Sequence, residues 1–421
     1  MIPLTTDGIF PGTRSGAVPK KYKLGTHRTV SPQETLSRLG LYSTAAGVTR
    51  IANVTGLDIV GIPVVMVTRP NARMLSVSQG KGTDLVAAKV SGLMEAIETY
   101  HAERIQAPLR LASYAELAES NNNVMDPTSL PRPKTSAFHP DLQILWIEGV
   151  DIMQEKCTWV PYEMVHTNFV LPPLGHGSFY ASSNGLAGGN HIMEAMSHAI
   201  CEVVERDALT LWRFRGQRGQ SQLQINPETV HDPCCAEIME KYRKAGLSLA
   251  IWEMTADVRI PSFLCRVGDL KASTFDVSFP AEGFGCHPHR AIALVRALTE
   301  AAQSRLTQIV GSRDDVLPES YRKLQQQDVS RFLNHGTAPC PWQSFSAGPD
   351  FDANTFDEEV EHEMQMLQEA GFHHAVVVSL PSLFSVPVVR VIIPRLENVL
   401  NEENDVQNYI PADPVRLSMA S

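Results

Sequence analysis

The sequence predicts an α+β fold in which mixed β-sheets pack against long helices. Stretches with helical apolar periodicity alternate with short β-branched runs, and several of these runs follow one another directly, which favours a mixed sheet arrangement over a doubly wound parallel one. Proline and glycine also interrupt the strand runs repeatedly.

Residues 1–25 are rich in Gly, Pro and Thr and read as an irregular lead-in, with Lys20-Lys21-Tyr22-Lys23 as a solvated cluster. From Leu39 to Pro70 glycine alternates with β-branched residues, and Ile62-Pro63-Val64-Val65-Met66-Val67 reads as a buried strand. A first helix follows, striped by Leu85, Val86, Val90, Leu93, Met94 and Ile97. A surface insertion rich in Pro, Asn and Ser is expected near 119–140. The runs Ile144–Ile147 and Trp159–Pro161 read as strands, and a second helix carries Ile192, Ala195, Met196, Ala199, Ile200 and Val203 on one side. Two more strands, Leu247–Trp252 and Phe263–Val267, lead to a third helix striped by Ile292, Val295, Leu298 and Leu306. Charge, glutamine and proline dominate 314–354, which reads as a peripheral excursion. A last helix, Asp357–Ala370, is stopped by Gly371 and precedes strands at Ala375–Val378 and Val388–Ile392. The organisation expected is one domain over 26–400, followed by a tail over 401–421.

A chain of 421 residues with 43% hydrophobic and 19% charged content can build a sizeable core. Its net charge of −10 argues against a nucleic-acid backbone as partner. No stretch has the length of a membrane span or the pattern of a secretion signal, so a cytoplasmic protein is expected. The seven scattered cysteines fit reduced thiols better than a disulfide framework. Cys286-His287-Pro288-His289 lacks a second ligand cluster at a zinc-site spacing.

The chemistry is carried by a pattern that occurs three times. Ser78-Gln79-Gly80-Lys81-Gly82 precedes Glu95 and Glu98, Ser183-Asn184-Gly185 precedes Glu202 and Glu205, and Gly283-Phe284-Gly285 precedes Glu300 and Gln303. The first acid follows Gly80, Gly185 and Gly285 by 15, 17 and 15 residues. Each glycine group reads as a turn that opens a helix, and the likeness of the first two units points to an internal duplication. Positions three apart share a helix side, so each pair forms one polar spot on an otherwise apolar element. Such spots are ordinary on solvated faces. Three copies behind matching glycines, with no lysine from Gly185 to Glu205, favour ligands instead. Carboxylates gathered this way resist ionising together unless a cation sits among them, and Mg2+ shared with phosphates is the economical choice. Arg104, Arg206 and Arg296 accompany the acids and suit phosphate oxygens. Neither a Walker loop, a dinucleotide fingerprint nor a Gly-x-Ser-x-Gly elbow is present.

The motifs together resemble the YcaO family. Its Ser-x-x-x-Glu-x-x-Glu pattern is matched by Ser91, Glu95 and Glu98, and its Ser-Asn-Gly turn with Glu-x-x-Glu-Arg by Ser183, Asn184, Gly185, Glu202, Glu205, Arg206 and Asp207. Arg296, Glu300, Gln303 and Arg305 match a third block, and Gly311, Arg313, Asp314 and Asp315 a fourth. The resemblance implies a YcaO-type fold and an ATP- and Mg2+-dependent enzyme that phosphorylates a peptide backbone amide oxygen after a nucleophile adds to its carbonyl. It implies metal ligation by Glu95, Glu98, Glu202, Glu205 and Glu300, with Glu205, Arg206 and Arg296 catalytic. Ser91, Asn184, Gln303, Arg305 and Lys81 are the expected ATP contacts, and a basic residue such as Lys23 or Arg28 would complete that site. The Pro-x-Pro-x-Pro tail of many azoline-forming members is missing. This leans towards thioamide formation with a sulfide donor and a TfuA-type partner, acting on a ribosomally made peptide. An azoline-forming cyclodehydratase and a non-catalytic binding scaffold are the competing readings, and a homodimer is compatible with either.

Overall fold

The structure, a computed structural model, describes residues 16–420 except 121, 272–278, 314, 326–327, 334–341, 381–383 and 399–407. Asp314, Cys340, much of the lead-in and part of the tail therefore lie outside the described residues. The strands are β1 (Arg50–Asn53), β2 (Val64–Thr68), β3 (Val77–Lys81), β4 (Leu109–Ala112), β5 (Arg132–Pro133), β6 (Ile144–Asp151) and β7 (Lys156–Pro161). They continue as β8 (Leu186–Gly188), β9 (Ser248–Glu253), β10 (Ser262–Gly268), β11 (Ala281–Cys286), β12 (Val376–Leu380), β13 (Val388–Ile392) and β14 (Tyr409–Ile410). The helices are α1 (Pro32–Ser43), α2 (Leu85–Ala102), α3 (Tyr114–Glu119), α4 (Ile192–Phe214), α5 (Gln217–Ser221) and α6 (Pro233–Lys244). After these come α7 (Arg290–Val310), α8 (Pro318–Gln325), α9 (Val329–Phe332), α10 (Phe356–Glu369) and α11 (Pro414–Ala420). Among the described residues no helix is long and apolar enough to cross a membrane.

Two compact units are present, each assembled from separated stretches of chain. One comprises Tyr22–Ala96 and Arg215–Asp352. It contains two three-stranded antiparallel sheets, ordered β1-β2-β3 and β9-β10-β11. Each sheet ends in a glycine-bearing strand that is followed by a long helix. A Cβ on Gly80 would lie 2.1 Å from the Ala88 carbonyl oxygen of α2, and one on Gly285 would lie 2.1 Å from the Ala293 carbonyl oxygen of α7. The glycines expected to form the first and third turns therefore lie inside β3 and β11, where they let a strand approach a helix backbone. Helices α2 and α7 both begin five residues after their glycine (Gly80, Gly285), so the internal likeness is strongest between the first and third units, not the first and second. Ile62, Tyr242, Ile251, Phe263, Leu294 and Leu298 belong to this unit's core, and the buried Tyr242 hydroxyl donates to the Leu298 carbonyl at 2.7 Å.

The other unit comprises Met1–Lys21, Ile97–Phe214 and Ala353–Ser421. Its six-stranded sheet runs β4-β6-β12-β13-β8, with β7 on β6 and every pairing antiparallel. Here the glycine turn does occur. Gly185 has φ +76, and a Cβ there would lie 2.4 Å from the Val391 carbonyl oxygen. Lys20, expected in a solvated cluster, is instead buried, its ammonium 2.5 Å from Glu359. Parts of the insertion and of the tail meet, since β5 pairs with β14. In α11, Arg416 donates to both carboxylate oxygens of the fully buried Asp207 at 2.5 and 2.6 Å.

Candidate active site

In the unit containing β3 and α7, Glu95 of the first polar spot comes together with the third spot. The Gln79 backbone N–H donates to Glu95 at 3.3 Å, and the Gln79 carboxamide oxygen accepts from Gln303 at 3.2 Å and from Thr307 at 2.7 Å. Lys81, at the end of β3, pairs with Glu300 of α7. Burial pushes the Glu95 carboxyl up to about 7. The Gln79 N–H, Lys81 and Arg313 oppose that shift, while Glu300 adds to it. A carboxylate this easily neutralised is one that a dication would restore to its charged form. The Gln79 amide nitrogen, buried and without a hydrogen-bond partner among the described residues, adds an unused donor.

The second polar spot belongs to the other unit. Glu205 is buried on α4, and Arg206 beside it has a guanidinium nitrogen 3.9 Å from its carboxylate. Glu98, also buried, accepts from the Gly188 backbone N–H at 2.6 Å, which ties the end of α2 to β8. Asn184 precedes the left-handed Gly185, and its side-chain oxygen is buried without a partner among the described residues. Glu202 bears electrostatically on Arg390, a fully buried residue of β13.

The expected site residues are thus placed as follows. Glu95, Glu300, Lys81 and Gln303 form one group around Gln79, and Glu98, Glu202, Glu205, Arg206 and Asn184 belong to the other unit. Ser91 lies on α2, one turn before Glu95. Arg296 donates to the Cys286 carbonyl at 3.2 Å. Arg305, expected to contact ATP, donates to Asp58 at 2.9 and 3.1 Å and to the Phe279 carbonyl. Lys23 reaches Asp352 at 3.3 Å, and Arg28 donates to the His27 carbonyl at 2.9 Å. His27 packs on His287 and His289, ring centroids 5.3 and 5.9 Å away, a meeting that no sequence spacing announces. Gln79, Arg313 and Arg390 were given no role from the sequence. The first two stand inside quoted motifs, whereas Arg390 interrupts a valine run and gave no signal.

Each unit thus carries a group of carboxylates accompanied by a basic side chain and by a buried amide atom without a hydrogen-bond partner among the described residues. The chain belongs to the YcaO family, described as YcaO cyclodehydratase, ATP- and Mg2+-binding, whose profile matches residues 79–397. Its cofactors are accordingly ATP and Mg2+. A relative from Rhizobium leguminosarum bv. trifolii, an uncharacterized protein in the tfuA 3' region, is 36% identical over 383 residues, covering 88% of each chain. An uncharacterized protein of Methanothermobacter thermautotrophicus is 32% identical, with 88% of this chain and 95% of that one covered. The YcaO of Methanopyrus kandleri, solved with AMPPCP and Mg2+, superposes with TM-score 0.71 at 22% identity over 90% of this chain and 95% of its own. A heterocyclase solved with substrate and cofactor gives TM-score 0.73 at 20% identity over 91% of this chain, which spans about half (54%) of that protein.

Proposed function

We propose that this protein converts a peptide backbone amide to a thioamide, using ATP, a sulfide donor and a TfuA-type partner. The observation that carries the thioamide reading is the 36% identical relative named for its place beside tfuA. ATP supplies the phosphoryl group that turns the amide oxygen into a leaving group, and Mg2+ neutralises phosphate charge. Glu95, Glu98, Glu202, Glu205 and Glu300 would hold the metal ions, and Lys81, paired with Glu300 in the free protein, would turn to a phosphate oxygen. Arg206 and Arg296 offset charge on the transferring group, and Ser91, Asn184 and Gln303 orient the nucleotide. The raised pKa of Glu95 supports this assignment, because a carboxyl that burial disfavours as an anion is one that gains most from a cation.

A peptide labelled with heavy oxygen at the reacting carbonyl, supplied with ATP, sulfide and the partner, tests the reading. The label appears in free phosphate and the product carries sulfur in its place; retention of label in the peptide would refute amide-oxygen phosphorylation. The family description as a cyclodehydratase favours a second reading, azoline ring closure on Cys, Ser or Thr. Ring closure gives the same labelled phosphate, with a product lighter by one water.

A further inference from the structure

The centre of β13 holds a buried cation, two of whose donors the fold leaves unused. Arg390 is 1% exposed, and its Nε and Nη1 have no hydrogen-bond partner among the described residues. Burial pushes its guanidinium down to about 10, with Glu202 acting in the opposite direction. A buried charge without hydrogen bonds is costly, and one retained in a folded protein asks for a ligand.

Arg390 lines a small, partly open cleft. Ser182, Asn184 and Asn398 form polar walls, and Met164, Val203 and Leu396 are among the apolar ones. The side-chain oxygens of Asn184 and Asn398 are also buried and have no partner among the described residues. The backbone around these groups is fixed. Arg390 is in register with Leu186, the Val391 N–H donates to the Gly185 carbonyl at 2.8 Å, and the Asn398 N–H donates to the Tyr409 hydroxyl at 3.0 Å.

The unused groups that line the cleft are cationic donors and neutral acceptors. A carboxylate or a fully ionised phosphate would satisfy the guanidinium but bring no proton to the amide oxygens. A backbone amide satisfies both, since its carbonyl accepts and its N–H donates. We propose that this cleft seats the reacting backbone amide, its oxygen on Arg390 and its N–H on Asn398. The inference rests on the function proposed above and gives it an additional catalytic residue. When the sulfide bonds to the carbonyl carbon, the π pair of the C=O bond moves onto the oxygen, and the adjacent guanidinium stabilises the negative charge. That same oxygen is the atom to be phosphorylated.

The full-length protein, with and without AMPPCP and Mg2+, can be titrated with N-butylbutanamide and with butyl butanoate, its ester counterpart without the N–H, using saturation-transfer NMR. The amide should bind saturably, the ester at least fivefold more weakly, and Arg390→Gln should abolish amide binding while AMPPCP affinity stays within twofold. Undetectable amide binding, equal binding of the ester, or amide binding unchanged in Arg390→Gln would overturn the proposal. So would a tenfold loss of AMPPCP affinity with amide binding intact, which would give the cleft to the nucleotide base. If Arg390→Gln does not fold, Asn398→Leu removes one acceptor at similar volume and should weaken the amide at least fivefold, and unchanged binding would overturn the proposal. Failure of wild-type protein to bind AMPPCP with Mg2+ would sink the proposed function but leave the amide-to-ester comparison standing.

Discussion

On the function proposed, Glu95 couples metal binding to pH. Its folded pKa of about 7 lies above the ordinary value of 4.5, so between these two the folded chain holds a proton that the unfolded chain has lost. Metal-free stability therefore falls as pH rises through that window. Glu95→Gln removes this loss, and urea unfolding at pH 8 without metal should show the variant more stable by on the order of 1–3 kcal/mol. The same variant should bind Mg2+ and AMPPCP poorly. In wild-type protein Mg2+ must displace the Glu95 proton, so calorimetric affinity should rise by up to about tenfold per pH unit below pH 7 and then level off. A flat profile would remove Glu95 from the ligand set. At this scale the sequence revealed the acids, because a three-residue spacing on an apolar-striped helix is visible without coordinates. It did not reveal Arg390 or Lys20. A cation inside Val388–Ile392 could face water or a cavity, and the Lys20–Glu359 pair joins residues 339 apart in the chain.

Among the elements, the strand–helix contacts set the geometry of the first group. Gly80→Ala would drive a methyl into the α2 backbone at Ala88 and Gly92, neither of which can rotate away. It should cost about 3 kcal/mol or leave the protein insoluble. Gly40→Ala, in open space within α1, should be neutral or stabilising by up to about 1 kcal/mol, and comparing the two melting curves checks the assignment. The helices were legible from their 3.6-residue period and most strands from their β-branched runs. The glycines were misread as turns because a glycine needed for φ > 0 and one needed for close approach are identical in sequence. Gly185 is of both kinds, while Gly80, Gly283 and Gly285 are of the second alone. The α11–α4 contact was equally hidden. Arg416→Ala leaves the buried Asp207 without its guanidinium and should destabilise by about 3 kcal/mol, read by urea unfolding.

For the whole molecule, the chain builds each unit from stretches far apart in sequence, and the boundary between Ala96 and Ile97 falls inside α2. Glu95 and Glu98, one turn apart, therefore belong to different units. A single domain with peripheral insertions is the natural sequence reading of such a chain, since discontinuous units leave no linker to mark them. The central claim is that all five glutamates serve Mg2+ and ATP. Anomalous diffraction from crystals grown with Mn2+ and AMPPCP tests it most directly. The account predicts manganese peaks bonded to Glu95, Glu98, Glu202, Glu205 and Glu300; peaks bonded to other residues, or a bound nucleotide with none of these carboxylates at a metal, would contradict it.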